Sequence, residues 1–127
     1  MIIPKFIKKE SVIGVVAPSD GADNELKLKR FKNACSKLES LGYKIKLSDN
    51  VFNSFMGRST NEEQRATEFN EMVRDNSVDL IMCASGGEFL LEILPYIDFE
   101  LLKNNPKFVC GFSDPTGLLY PITTKCD

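Results

Sequence analysis

At 127 residues, with 16 Lys and Arg against 18 Asp and Glu, the chain carries a formal net charge of -2. That near balance, with a pI near 5.2, excludes the basic footprint of a protein that grips DNA or RNA by its phosphates. The length and the 43% apolar content suit one domain with a real core, while the absence of histidine removes the commonest general base.

The opening MIIPKFIKKE holds too short an apolar stretch for a signal peptide, and no later run is long enough to cross a bilayer. The expectation is a cytoplasmic protein with reduced cysteines and no membrane partner. Val12 to Ala17, VIGVVA, reads as a fully buried strand that opens into the loop Pro18-Ser19-Asp20-Gly21. A helix follows from about Asn24 to Leu41. Leu28, Phe31, Cys35, Leu38 and Leu41 form its apolar stripe, and Gly42 stands at its C′ position. The basic run Lys27 to Arg30 reads as a solvated face. Tyr43 to Leu47 alternates apolar and charged residues, as a strand near a sheet edge does.

Asn50 to Ser59 is irregular. Thr60 and Glu63 have the spacing of a capping box for a helix running to Arg74, with Ala66, Phe69 and Val73 facing inward. Val78 to Cys83 is a second buried strand. It breaks at Ala84-Ser85-Gly86-Gly87, and an amphipathic helix is expected from Glu88 to Leu94. Asp98 suits the cap of a short turn, and Lys107 to Gly111 a further strand. Asp114 reads as an N-cap, with Pro115 in the first helical turn.

Strands alternating with helices argue a doubly wound, mostly parallel α/β sheet with flanking helices. Loops after successive strands gather at one edge of such a sheet, so Ser19, Gly86 and Ser113 should approach one another. The Gly86-Gly87 turn has two readings: a tight packing turn, or backbone N–H groups arranged to hold an anion or oxyanion. Nucleophiles are scarce. Ser85 is expected to satisfy a backbone group in the turn, and Ser113 lacks an evident base because no lysine falls in these loops. Glu88 suits a carboxylate held by a helix N-terminus. Cys35, Cys83, Cys110 and Cys126 lack metal-ligand spacing, and Cys83 and Cys110 read as small buried thiols. Neither a metal nor a cofactor is expected.

The order VIGVVAPS, RATEFNEMV, Gly86-Gly87 followed by LPYIDF, NPKF and GFSDPTGLL resembles the LD-carboxypeptidase serine peptidase family, which includes muramoyltetrapeptide carboxypeptidases and microcin C immunity proteins. The resemblance implies a flavodoxin-like or class I glutamine-amidotransferase-like N-terminal domain over residues 1–127. The family's C-terminal domain, which supplies its histidine and glutamate, lies outside this sequence. The family nucleophile, a serine three positions after the second glycine, falls here on Leu90. Its oxyanion glycines fall on Gly86 and Gly87, its Ser-Asp pair on Ser113 and Asp114, and Glu88 sits where the immunity branch is acidic.

Leucine cannot attack a carbonyl, so the resemblance implies a domain that is inactive as it stands. Such a domain would bind a muropeptide or peptidyl-nucleotide small molecule through Gly86, Gly87, Glu88 and Ser113. Two other expectations stand beside it. One is a hydrolase working through Ser85 or Ser113. The other is a non-enzymatic interaction domain that self-associates, as a homodimer, through the apolar residues Leu118, Leu119, Tyr120 and Ile122.

Overall fold

The computed structural model describes residues 1–126. Four parallel strands, β1 (Val12–Val16), β2 (Lys44–Leu47), β3 (Leu80–Cys83) and β4 (Phe108–Cys110), lie in the order β2-β1-β3-β4. The register sets Ile13 beside both Ile45 and Leu80, and Ile81 beside Val109. The order reverses between β1 and β3, so the loops that leave these two strands at their carboxyl ends diverge and open a crevice there.

Alternation along the strands builds two faces. Val16 and Ile81 join a core with Ala66, Phe69, Met72 and Val73 of α2 (Glu62–Arg74), Leu102 of α3 (Phe99–Asn104) and Leu118 of α4 (Thr116–Lys125). Ile13, Val15 and Leu80 face the other way, against Phe31 and Leu38 of α1 (Glu25–Ser40) and against Ile7. Gly14 permits the close approach of α2. A Cβ there would meet the Met72 sulfur at 2.7 Å and a Val78 methyl at 2.9 Å.

Local chemistry explains most boundaries. Asn24 caps α1 by accepting from the Lys27 N–H, and Gly42, at φ 98°, ends it in the left-handed region. Asp98 caps α3 through the Leu101 N–H. Lys107, at the start of β4, donates to the Met72 and Asp75 carbonyls at the end of α2.

Several expectations are corrected. Asn61, not the Thr60–Glu63 pair, caps α2, its side chain accepting from Gln64 N–H. Leu41 ends α1 half exposed instead of facing inward. No α-helix starts at Glu88. Residues 84–89 form a loop, and a 3-10 helix runs from Leu90 to Tyr96. Pro95, which lacks an N–H and crowds the preceding turn, disfavours an i−4 ladder in so short a segment. The exposed Glu88 therefore has no α-helix N-terminus to stabilise it. Cys110 is exposed, because β4 is an edge strand.

Candidate functional site

Three loops converge at the carboxyl edge of the sheet: Ala17 to Gly21 after β1, Ala84 to Phe89 after β3 and Gly111 to Asp114 after β4. Ser19, Gly86 and Ser113 meet there as the topology requires. Asp20 N–H donates to the Gly86 carbonyl, and a Cβ on Gly86 would lie 3.4 Å from the Ser113 Cβ. Gly87 approaches more closely still. A Cβ there would stand 2.3 Å from Ser19 Oγ, so this turn admits no side chain without displacing the first loop.

Asp114 does not cap α4. Its Oδ2 instead accepts from the buried Ser19 hydroxyl and, at 3.0 Å, from the Leu90 N–H. One carboxylate thereby ties the loops after β1, β3 and β4 together. The adjoining Ser113 takes a positive φ of 64°, and its exposed hydroxyl has no partner among the described residues. Ser85 is likewise unpartnered there, against the expectation that it would satisfy the turn. The N–H groups of Gly86, Gly87, Glu88 and Phe89 donate to no other described residue. They form a run of open donors whose own loop carries one acidic side chain, the exposed Glu88, with Asp20 and Asp114 on the two neighbouring loops.

Two arginines hold this run from behind. Arg65, on α2, is fully buried and donates to the Pro18 carbonyl at 3.0 Å, the Phe89 carbonyl at 3.1 Å and Glu92 Oε1 at 2.9 Å. Its Nε lacks an acceptor among the described residues. Arg58 grips the same carboxylate through both oxygens, at 2.7 and 2.9 Å, and stacks 3.7 Å over the Phe89 ring. Hydrogen bonding to Arg58, with a smaller share from Arg65, overcomes burial and holds the Glu92 carboxyl down at about 2. Asp20 is pushed up by burial, but hydrogen bonds from Ser54, the Gly21 N–H and Lys27 outweigh this and hold it below its ordinary range.

Sequence reasoning missed Arg65. Its signal was a charge on the apolar stripe of α2, one helical turn before Phe69. Lys27, read as part of a solvated face, reaches back to Asp20 at 3.2 Å.

No nucleophile is armed in this arrangement. Leu90 is fully buried and packs toward α4, where a Cβ on Gly117 would meet its methyl at 3.2 Å. Cys83 ends β3, but burial, with a lesser push from Cys110, lifts its thiol to about 12, far from the reactive thiolate. Among the described residues, no group of three or more Cys, Asp or Glu side chains is placed to hold a metal ion. The chemistry the site offers is recognition of an anion or a carbonyl oxygen by backbone N–H groups.

Residues 13–127 match the family described as the LD-carboxypeptidase N-terminal domain. A Vibrio cholerae protein assigned as a carboxypeptidase is 35% identical over 122 residues, 96% of this chain and 36% of its own length. A Bacillus subtilis protein assigned as a murein peptide carboxypeptidase is 34% identical over 115 residues, 91% of this chain and 35% of its own. Among solved structures, the microcin C7 self-immunity protein MccF in complex with aspartyl sulfamoyl adenosine superposes with a TM-score of 0.92 at 28% identity, covering 99% of this chain and 37% of that one. The chain spans little more than a third of the length of these relatives.

Proposed function

The chain belongs to the LD-carboxypeptidase family, as its N-terminal domain, and from that premise we propose that it binds a muropeptide or peptidyl-nucleotide without attacking it. The observation that carries this reading is the run of open N–H groups from Gly86 to Phe89, set beside a position, Leu90, whose side chain is buried in the core. An acyl-transfer site needs both an oxyanion cradle and a nucleophile with its base. Here the open N–H run supports a cradle, and neither Ser85 nor Ser113 is hydrogen-bonded to a base among the described residues.

The ligand class is supported by the relatives. One is assigned to murein peptides, and another is solved with an aminoacyl nucleoside analogue. Both ligand types carry carbonyl or acidic oxygens that can accept from unpaired N–H groups. Glu88, exposed at the mouth of the cradle, and the Ser113 hydroxyl are the side chains placed to select among them.

Titration calorimetry of the protein with a muramoyl tetrapeptide tests the reading. Saturable heat with the tetrapeptide intact afterwards is the expected result. No heat at any accessible concentration overturns the binding, and release of the terminal amino acid overturns the silence of the site.

A second reading, self-association, rests on exposed apolar side chains around α4. Of the four residues expected to carry it, Leu118 is core, Leu119 and Ile122 are half-buried, and Tyr120 is 70% exposed, with Phe112 and Leu91 exposed nearby.

A further inference from the structure

The open N–H run owes its shape to what lies behind it. Phe89 and Leu90 end the run and begin the 3-10 helix, and each is fastened by a different group. Leu90 N–H is held by Asp114, while the Phe89 carbonyl is held by Arg65 and its ring lies under Arg58. Both arginines converge on Glu92, three residues further along. Arg65 is wholly removed from water, so its guanidinium demands acceptors that stay in place. The three it uses come from the loop after β1, the loop after β3 and the 3-10 helix. If Glu92 let go, the first turn of that helix would lose both clamps on its carboxylate, and the Phe89–Leu90 corner would be free to shift.

We propose that Glu92 is the positioning residue of the cradle: by engaging Arg58 and Arg65 together, it fixes the Phe89–Leu90 corner and so aims the N–H groups of Gly86 to Phe89 at one point. This rests on the binding function proposed above and adds to it the group that sets affinity without touching the ligand.

The charge of the cluster makes the inference testable in sign. Two arginines share the one Glu92 carboxylate, and Asp114 is the other carboxylate at this corner. Replacing Glu92→Gln removes one negative charge from behind the cradle, so a through-space effect alone would tighten binding of an anionic ligand. A positioning role requires the opposite, because glutamine cannot hold two guanidinium groups as a carboxylate does.

The experiment compares wild-type and E92Q protein by calorimetry with a muramoyl tetrapeptide, and by residue-resolved amide exchange without ligand. Positioning is expected to weaken binding about fivefold and to speed exchange of the Leu90 amide about tenfold, with α2 amides less affected. Arg58→Lys keeps the charge but loses the fork and the stacking, and it carries the test if E92Q fails to fold. It should weaken binding about threefold and loosen the same amide. Unchanged or tighter binding with unchanged Leu90 exchange overturns the proposal. If the wild-type protein binds no tetrapeptide, the binding function fails, and the exchange measurement still decides whether Glu92 holds the corner.

Discussion

The two faces of the sheet were built from similar sequence patterns and came out differently. Under α2, the stripe Ala66, Phe69, Met72 and Val73 is closed over by the 3-10 helix, α3 and α4. Under α1, the stripe Leu28, Phe31, Cys35 and Leu38 is only half buried, because no second helix joins α1 on this face among the described residues and it is flanked there by the amino-terminal segment, Val51 and Phe52. Apolar periodicity states which side of a helix turns inward. How deeply it is buried depends on neighbours that lie far away in sequence. The candidate site is anchored to the closed face, through Arg65 and Leu90, and its outer wall stands on Asp20 and Lys27 at the start of the open one.

The largest test of this contrast sets Leu90→Ser against Leu38→Ser. On the closed face the change removes a fully buried side chain and leaves a hydroxyl in the core, at a cost of about 4 kcal/mol. On the half-buried face the cost should be about 1 kcal/mol. Denaturant unfolding measures both, and comparable losses would erase the distinction. Leu90→Ser should also release no amino acid from a muramoyl tetrapeptide, since the hydroxyl points into the core.

A smaller effect separates the two glycines of the cradle. Gly87→Ala drives a Cβ against Ser19, pushes the first loop away and should lower stability by about 2 kcal/mol, whereas Gly86→Ala, whose Cβ would make ordinary contacts with Ser113, should cost under about 1 kcal/mol. Equal losses in thermal unfolding would show that the close approach of the loops at Gly87 does not matter.

The smallest effect is a pH dependence. Glu92 has its carboxyl lowered from 4.5 to about 2 in the folded state. Its contribution is therefore fully present above about pH 4.5 and is lost as pH falls toward 2. Because Glu92 faces solvent, the loss should be modest, and E92Q should flatten that part of the stability profile. An unchanged profile in E92Q would assign the acid sensitivity to other carboxylates.

The alternation of strands and helices, the parallel order and the meeting of Ser19, Gly86 and Ser113 were legible in the sequence, because buried strands and glycine turns leave unmistakable apolar runs and breaks. What escaped was polar and non-local. Asp114 has the spacing of a cap, yet Pro115 and the neighbouring loops draw its carboxylate to Ser19 and Leu90 instead. Glu88 to Leu94 has helical periodicity, but Pro95 and the glycines before it yield a loop and a 3-10 helix. Arg65 and Glu92 gave no local sign that they are partners, lying 27 residues apart.

Lys107 carries a consequence for how the sheet is closed. Its ammonium joins the last turn of α2 to the first residue before β4, two points with β3, the 3-10 helix and α3 between them along the chain. Every ladder in this sheet is parallel, so no strand finds its neighbour through a hairpin, and each pairing must close a long loop. The Met72 and Asp75 carbonyls stand together as acceptors for Lys107 where α2 has wound to its end. Docking of β4 therefore closes two contacts at once, a ladder with β3 and a polar clasp on α2.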